Sequence, residues 1–242
     1  MKPVEIVLVY QSLLGIYGDR GNAMVLRQRL AWRGIDATLT VVDPGDDVPS
    51  TGSVYLLGGG EDAAQISAVK ALKADGHLFR AIDAGAVLFA VCAGYQIVGE
   101  TFTVGENDEV IEGLGLLDVT TRRGPERAVG EVLSAWTRPD GTESLVTGFE
   151  NHGGFTYLGV NAEPLARVEI GVGNCGDGTD GAVQGNVLGI YPHGPILARN
   201  PELADHLLER ALGHELDPLP SPELDELRHQ RIAAVRRTGL RR

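Results

Sequence analysis

Ala86-Val87-Leu88-Phe89-Ala90-Val91-Cys92-Ala93-Gly94-Tyr95-Gln96 is the stretch that decides how the chain is read. Six small or apolar residues in a row predict a strand covered on both faces, as in the middle of a parallel sheet. The run stops at a cysteine, and Ala93-Gly94 lead into an apolar segment over 95–98 that reads as a helix. A tight strand-to-helix turn with a nucleophile at its apex is the mechanical idea of the G-x-S-x-G elbow, here with sulfur in place of oxygen. Small residues suit such a turn because the strand and helix backbones nearly touch. The first amides of the helix would favour the thiolate of Cys92. A small, buried core thiol is the competing reading, and the local sequence leaves both open.

Toward the N-terminus, strand patterns at Val4–Val9, Ala37–Val42 and Val54–Leu57 alternate with helical patterns at 23–33, 63–74 and 78–84. That alternation predicts an α/β fold with a doubly wound, mostly parallel sheet. Functional groups in such sheets gather at the carboxyl ends of the strands, where both Gly58-Gly59-Gly60 and Cys92 fall. Toward the C-terminus the texture changes. Residues 101–115 read as a turn-rich excursion, followed by extra short strands at 116–120, 129–136, 144–149, 166–172 and 187–191. Pro201–Leu212 reads as a helix with proline in its first turn, stopped by Gly213. Pro218, Pro220 and Pro222 make a stiff spacer, and Leu224, Leu227, Ile232 and Val235 stripe a last helix. The expected division is a domain over 1–212 and a Pro-spaced, Arg-rich tail over 213–242, with six arginines against five acids. Arg236-Arg237 and Arg241-Arg242 predict a solvated end over 236–242.

A chain of 242 residues suits one large domain. Its two cysteines, Cys92 and Cys175, match neither a disulfide framework nor metal-ligand spacing, which predicts a reducing compartment. The first residues enter a strand pattern with no signal peptide, and no apolar run approaches membrane-spanning length, so a cytoplasmic protein is expected. With 21 basic against 33 acidic residues and a net charge of −12, the surface excludes general nucleic-acid binding, which needs clustered Lys and Arg.

Several constellations could carry chemistry. Gly58-Gly59-Gly60 is either a plain turn or an oxyanion hole whose N–H groups turn inward. A phosphate cradle is excluded there because no G-x-x-x-x-G-K-[ST] exists in the chain. Gly171-Val172-Gly173-Asn174-Cys175-Gly176 matches G-x-G-x-x-G, but no helix follows, so it reads as a loop. Among six histidines, His77, His206, His214 and His229 lie in or beside polar helical patterns and read as solvated. His193, directly after an apolar strand, is the better-placed base for a thiol nucleophile and His152 the reserve. Taken alone, each is as readily a hydrogen-bonded structural residue. Arg122-Arg123-Gly124-Pro125-Glu126-Arg127 reads as a loop from which one arginine could grip a carboxylate bidentately, or simply carry solvated charge.

Together, Leu57-Gly58-Gly59-Gly60, Cys92-x-Gly94-x-Gln96 and a histidine 101 positions later resemble the class I glutamine amidotransferases. Tyr17-Gly18-Asp19-Arg20-Gly21-Asn22, Gly58-Gly59-Gly60-Glu61-Asp62, Glu112-Gly113-Leu114-Gly115-Leu116-Leu117-Asp118, Gly148-Phe149-Glu150-Asn151-His152-Gly153-Gly154 and Tyr191-Pro192-His193-Gly194-Pro195 narrow the resemblance. They point to the cobyric-acid-synthase-like branch and, within it, to the GatD family, glutaminase subunits of lipid II isoglutaminyl synthase. The resemblance implies Cys92 as nucleophile, His193 as acid/base, Arg127 as the holder of glutamine, and N–H groups at Gly60 and Ala93 as the oxyanion hole. It implies no metal and no cofactor in this chain, ATP and Mg belonging to a heterodimer partner, the Mur-ligase-like MurT. Ammonia would pass to that ligase, which amidates the D-glutamate α-carboxyl of the lipid II stem peptide, so lipid II is met only through the partner. One departure stands out. Class members place an acid two residues after the histidine to hold its tautomer, and here that position is Pro195. The expectation is a Cys–His dyad, or a carboxylate donated by an aspartate of the partner. Competing functions are the same chemistry on another acceptor such as cobyrinate, a non-catalytic glutamine-sensing scaffold, and a cysteine peptidase that shares the elbow.

Overall fold

The computed structural model describes residues 3–239. Its first half runs β1 (Val4–Val9), α1 (Arg20–Trp32), β2 (Ala37–Val42), β3 (Val54–Leu57), α2 (Asp62–Asp75), α3 (His77–Asp83), β4 (Val87–Val91) and α4 (Ala93–Ile97). Then come β5 (Thr101–Val104), β6 (Glu109–Glu112), β7 (Val119–Thr137), β8 (Glu143–Leu158), β9 (Ala166–Ile170) and β10 (Thr179–Asp180). The chain closes with β11 (Ala182–Gln184), β12 (Val187–Ile190), α5 (Ile196–Arg199), α6 (Pro201–Leu212) and α7 (Pro222–Gly239).

The expected doubly wound sheet is present, in the order β11-β12-β4-β3-β1-β2. All neighbours are parallel except the β11–β12 pair at one edge. Apolar on both sides, β4 is buried at every residue and lies between β3 and β12. Burial of two faces at once is what its uninterrupted Val/Leu/Phe run supports. Register places the site. Leu57 pairs with Ala90 and Ile190 with Val91, so the triple glycine, Cys92 and the segment 191–193 leave the sheet at one edge.

A second, largely antiparallel sheet, β10-β9-β7-β5-β6 with β8 paired on β7, holds the extra strands. They are longer than expected: β7 has 19 residues and β8 has 16. The loop read at 122–127 is corrected. Arg122 and Arg123 lie opposite Phe155 and Gly154, and a register shift between Arg123 and Ala128 accommodates Pro125. The turn-rich reading of 101–115 is likewise corrected to the hairpin β5–β6. The 122–127 segment and β6 face solvent and lack the apolar alternation of a half-buried strand, whereas β5 has it, with buried Phe102 and Val104 alternating with Thr101 and Thr103.

His206 on α6 is not solvated as its polar surroundings suggested. It is 9% exposed and meets the Trp136 ring edge-on at a centroid distance of 5.3 Å. Burial, with help from the charges of Arg210 and Arg138, pushes its pKa down to about 4. On the other side of β7, Ile232 and Val235 of α7 pack with Leu133, while Leu227 of the same predicted stripe stays exposed. Ion pairs Arg228–Glu202 (2.6 Å), Arg231–Glu131 (2.9 Å) and Arg236–Glu169 (3.1 Å) flank that contact. The helix continues to Gly239 with Arg236, Arg237 and Thr238 exposed along it, so the end expected to be solvated from 236 is exposed but helical; Arg241-Arg242 and Met1-Lys2 lie outside the described residues. No helix among the described residues is long and apolar enough to cross a membrane.

His206 generates a pH signature. Its folded pKa is depressed, so its contribution to stability is complete above about pH 6.5, the unfolded value. That contribution is lost as pH falls toward 4, because the unfolded chain takes up a proton that the folded chain refuses. Unfolding temperatures measured from pH 7 to pH 4 should fall less steeply for His206→Gln than for the wild type; parallel curves would refute the assignment.

Candidate active site

Cys92 sits at the end of β4 with φ 54° and ψ −107°, a left-handed conformation that a side chain resists. Such a residue stores about 1–3 kcal/mol and persists only where its surroundings enforce it. Here the Cys92 N–H donates to Ile190 O at 2.9 Å, and Cys92 O accepts the Gln96 N–H at 3.1 Å. Gly94 completes the clamp. Its N–H donates to Gly58 O at 3.0 Å, and a Cβ there would stand 2.7 Å from Leu57 O. With five residues, α4 has little macrodipole, and the field at the sulfur comes from its first-turn amides.

His193 follows β12 and is fixed from three directions. Its backbone exchanges two hydrogen bonds with Phe149 of β8, at 2.9 and 3.0 Å. Its Nδ1 lies 3.2 Å from Asp19 Oδ1, and the other oxygen of that carboxylate accepts the Gly59 N–H at 2.8 Å. The acid missing at position 195 is therefore supplied by this same chain, from the loop ahead of α1. Pro195 packs on that very segment: a Cβ on Gly21 would come within 2.1 Å of its Cγ. Burial disfavours the charged ring, but Asp19 and Cys92, by hydrogen bonding and by charge, outweigh it and raise the His193 pKa to about 9. With Nδ1 on Asp19, the Nε2 atom is buried and has no hydrogen-bond partner among the described residues, while Cys92 is near enough to bear on the ring's pKa.

A cavity of ≈ 430 Å³ opens over Cys92, with Ala93, Gly60, Glu61, Gln96 and Arg127 among its walls. Gly59 and Gly94 have committed their N–H groups to Asp19 and Gly58. That leaves the N–H groups of Gly60 and Ala93, both on the cavity, to meet an oxyanion. Two arginines reach its mouth, and they differ in what they already hold, a carboxylate in one case and a neutral amide in the other. Arg123 pairs with Asp108 at 2.5 Å and donates to Gly105 O. Arg127 donates its Nε–H and Nη2–H to Asn151, at 2.7 and 3.3 Å, which leaves Nη1 for an anion. His152, the reserve base, lines the cavity wall instead: its ring stacks on Tyr191 at 3.6 Å and its Nδ1–H donates to Gly154 O. Cys175 lies in the loop before β10, half-buried, its thiol pushed up to about 11 by burial and by Asp177.

The structure thus brings together every residue singled out by the sequence, Cys92, His193, Arg127, Gly60 and Ala93, and adds Asp19, Tyr17, Gln65 and Asn151. Gln65 of α2 donates to Gln96 Oε1 at 2.5 Å, which orients the side chain behind the elbow. Asp19 had one visible signal, its place in the Tyr17-Gly18-Asp19-Arg20-Gly21-Asn22 motif, in a stretch read as loop; the structure starts α1 at Arg20 and leaves Asp19 at its N-cap. Its side chain makes no cap bond, because both oxygens face the site.

A thiol nucleophile working on a small, anion-bearing amide is the chemistry of the thiol-dependent amidotransferases. The chain belongs to the CobB/CobQ-like glutamine amidotransferases, whose domain matches residues 5–201. A similar protein in Staphylococcus aureus (strain N315), the lipid II isoglutaminyl synthase (glutamine-hydrolyzing) subunit GatD, is 35% identical over 215 residues, covering 88% of this chain and 86% of that one. The subunit of the same name in Streptococcus pneumoniae (strain ATCC BAA-255 / R6) is 31% identical over 235 residues, covering 95% and 89%. Cobyric acid synthase of Sphingopyxis alaskensis is 35% identical over 187 residues, but these are 71% of this chain and 34% of that protein. Among solved structures, a glutamine amidotransferase shares the fold with TM-score 0.56 at 22% identity, covering 85% of this chain and 98% of its own.

The elbow makes a steric prediction. Gly94→Ala forces its Cβ against backbone and should cost about 1–3 kcal/mol in chemical denaturation, with slower alkylation of Cys92. Gly153→Ala meets only the flexible end of Arg127, at 3.9 Å, and should be near neutral in stability.

Proposed function

We propose that this chain hydrolyses L-glutamine and hands the ammonia to an ATP-dependent ligase subunit of the MurT kind, which amidates the D-glutamate α-carboxyl of lipid II. The setting is a cytoplasmic heterodimer whose ligase half holds ATP and Mg. The observation that carries the glutaminase reading is the line Asp19–His193–Cys92 beneath a cavity with one arginine held by a neutral amide. The acceptor rests on the names of the relatives that match nearly full length.

The chemistry follows from the placement. Cys92 Sγ attacks the side-chain amide carbon of glutamine, and its proton goes to His193 Nε2. The oxygen, now negative, faces the N–H groups of Gly60 and Ala93. The C–N bond breaks as Nε2 returns the proton to the departing ammonia, leaving a γ-glutamyl thioester. Water then gives a proton to Nε2 and attacks the thioester; glutamate leaves and the thiol is restored. Arg127 Nη1 meets the α-carboxylate. Asp62 is tied to the Gly105 N–H, so Glu61 is the acid at hand for the α-ammonium. Asp19 holds the imidazole tautomer and steadies its charge. Nδ1 has a single N–H, so an aspartate from the ligase would have to displace Asp19 to act there.

Cys92→Ala should abolish glutamine-dependent amidation of lipid II by the complex while ammonium salts still support it. Survival of the glutamine reaction would favour a scaffold, and amidation of cobyrinate in place of lipid II would move the chain to the other branch. Asp19→Asn should lower kcat by up to about 10⁴-fold, the scale of the same change in a serine triad. The limb of kcat/KM that titrates with His193 should also move down from about pH 9, because one of the two groups that raise its pKa is gone. Full activity of Asp19→Asn in the complex would instead assign the third role to the partner.

A further inference from the structure

We propose that Tyr17 is a positioning residue that couples occupation of the Arg127 site to the seating of the His193 ring; this rests on the glutaminase reading above. Tyr17 and Asp19 flank Gly18 in the loop between β1 and α1, and they hold the same imidazole in different ways. Asp19 takes its edge at Nδ1, while the Tyr17 ring covers it at a centroid distance of 4.4 Å and a tilt of 38°. Gly59 closes the other side: a Cβ there would stand 2.9 Å from His193 Cε1 and 3.0 Å from Tyr17 Cδ2. A small movement of Tyr17 is therefore passed to His193, because close-packed groups leave no slack to absorb it.

The other end of the connection is the anion site. Asn151 Nδ2–H donates to the Tyr17 hydroxyl at 3.4 Å, and Asn151 Oδ1 accepts the Arg127 Nε–H at 2.7 Å. An amide has its acceptor and its donor on opposite arms. With the oxygen drawn to the guanidinium, the NH₂ group must face Tyr17. Arg127 itself stands on the exposed ribbon, where Asn151 holds its Nε and Nη2 and Nη1 is left for a carboxylate to complete the fork. Binding of the substrate's α-carboxylate would then set Arg127, Asn151, Tyr17 and His193 in sequence, and a molecule without that carboxylate would not.

The test compares two reactions at Cys92 in the full-length chain: steady-state glutamine hydrolysis, and alkylation by iodoacetamide, which has no carboxylate. Tyr17→Phe removes the hydroxyl and keeps the ring; Asn151→Ser breaks the same connection from the other side. For both, kcat with glutamine should fall about fivefold to tenfold with KM little changed, and the alkylation rate should stay at the wild-type value. Equal losses in the two reactions would reduce Tyr17 to packing and overturn the coupling, as would an unchanged kcat in both variants. Failure of the glutaminase reading looks different: the wild-type chain itself would release no glutamate, and the coupling would fall with it.

Discussion

The site depends on one buried carboxylate. Asp19 is 2% exposed, and its two oxygens bind groups 40 and 174 positions away, the Gly59 N–H and His193 Nδ1. A charge out of water is tolerable only where such partners meet it, and removing one of them leaves the charge stranded at a cost of several kcal/mol. The same carboxylate therefore holds the oxyanion turn and the imidazole in fixed relation. The helix gives something up for this. Asp19 stands at the N-terminus of α1 without capping it, forgoing a bond typically worth about 1 kcal/mol.

The two sheets divide the work. The parallel sheet ends in Cys92, His193 and the glycine turn, the groups proposed to react. The antiparallel ribbon of β7 and β8 brings Arg127 and Asn151 to the same cavity, as the proposed recognition groups. They are joined where Phe149 and His193 exchange backbone hydrogen bonds, so the strand that carries Asn151 is bonded to His193 itself. Reacting groups on a rigid edge and selecting groups on a longer, exposed ribbon is a common economy in enzymes.

The legible portion of the molecule is that written in runs of apolar residues. Val4–Val9, Val54–Leu57 and Val87–Val91 read directly as buried strands, and the sulfur after the last of them marked the elbow. His193 was readable because it follows another such run. The ribbon was not: Arg122 to Arg127 alternates charge, glycine and proline, and its pairing comes from a partner strand some thirty residues on. His206 looked like one more polar residue on a helix, since nothing local announces that Trp136 covers it. Asp19 was quoted only as part of the Tyr17–Asn22 motif, four residues ahead of the predicted helix, and nothing local says what its carboxylate meets. Only its distances show that it serves a ring at the far end of the chain.

The chain has two thiols of unequal character. Burial and Asp177 push the Cys175 thiol to about 11, which keeps it protonated and sluggish toward electrophiles at neutral pH. Cys92 lies on the cavity instead, beside the His193 imidazole. Under the proposed function, the uptake of a thiol reagent at neutral pH would count competent active centres in any preparation, with the native sequence serving as its own single-label probe.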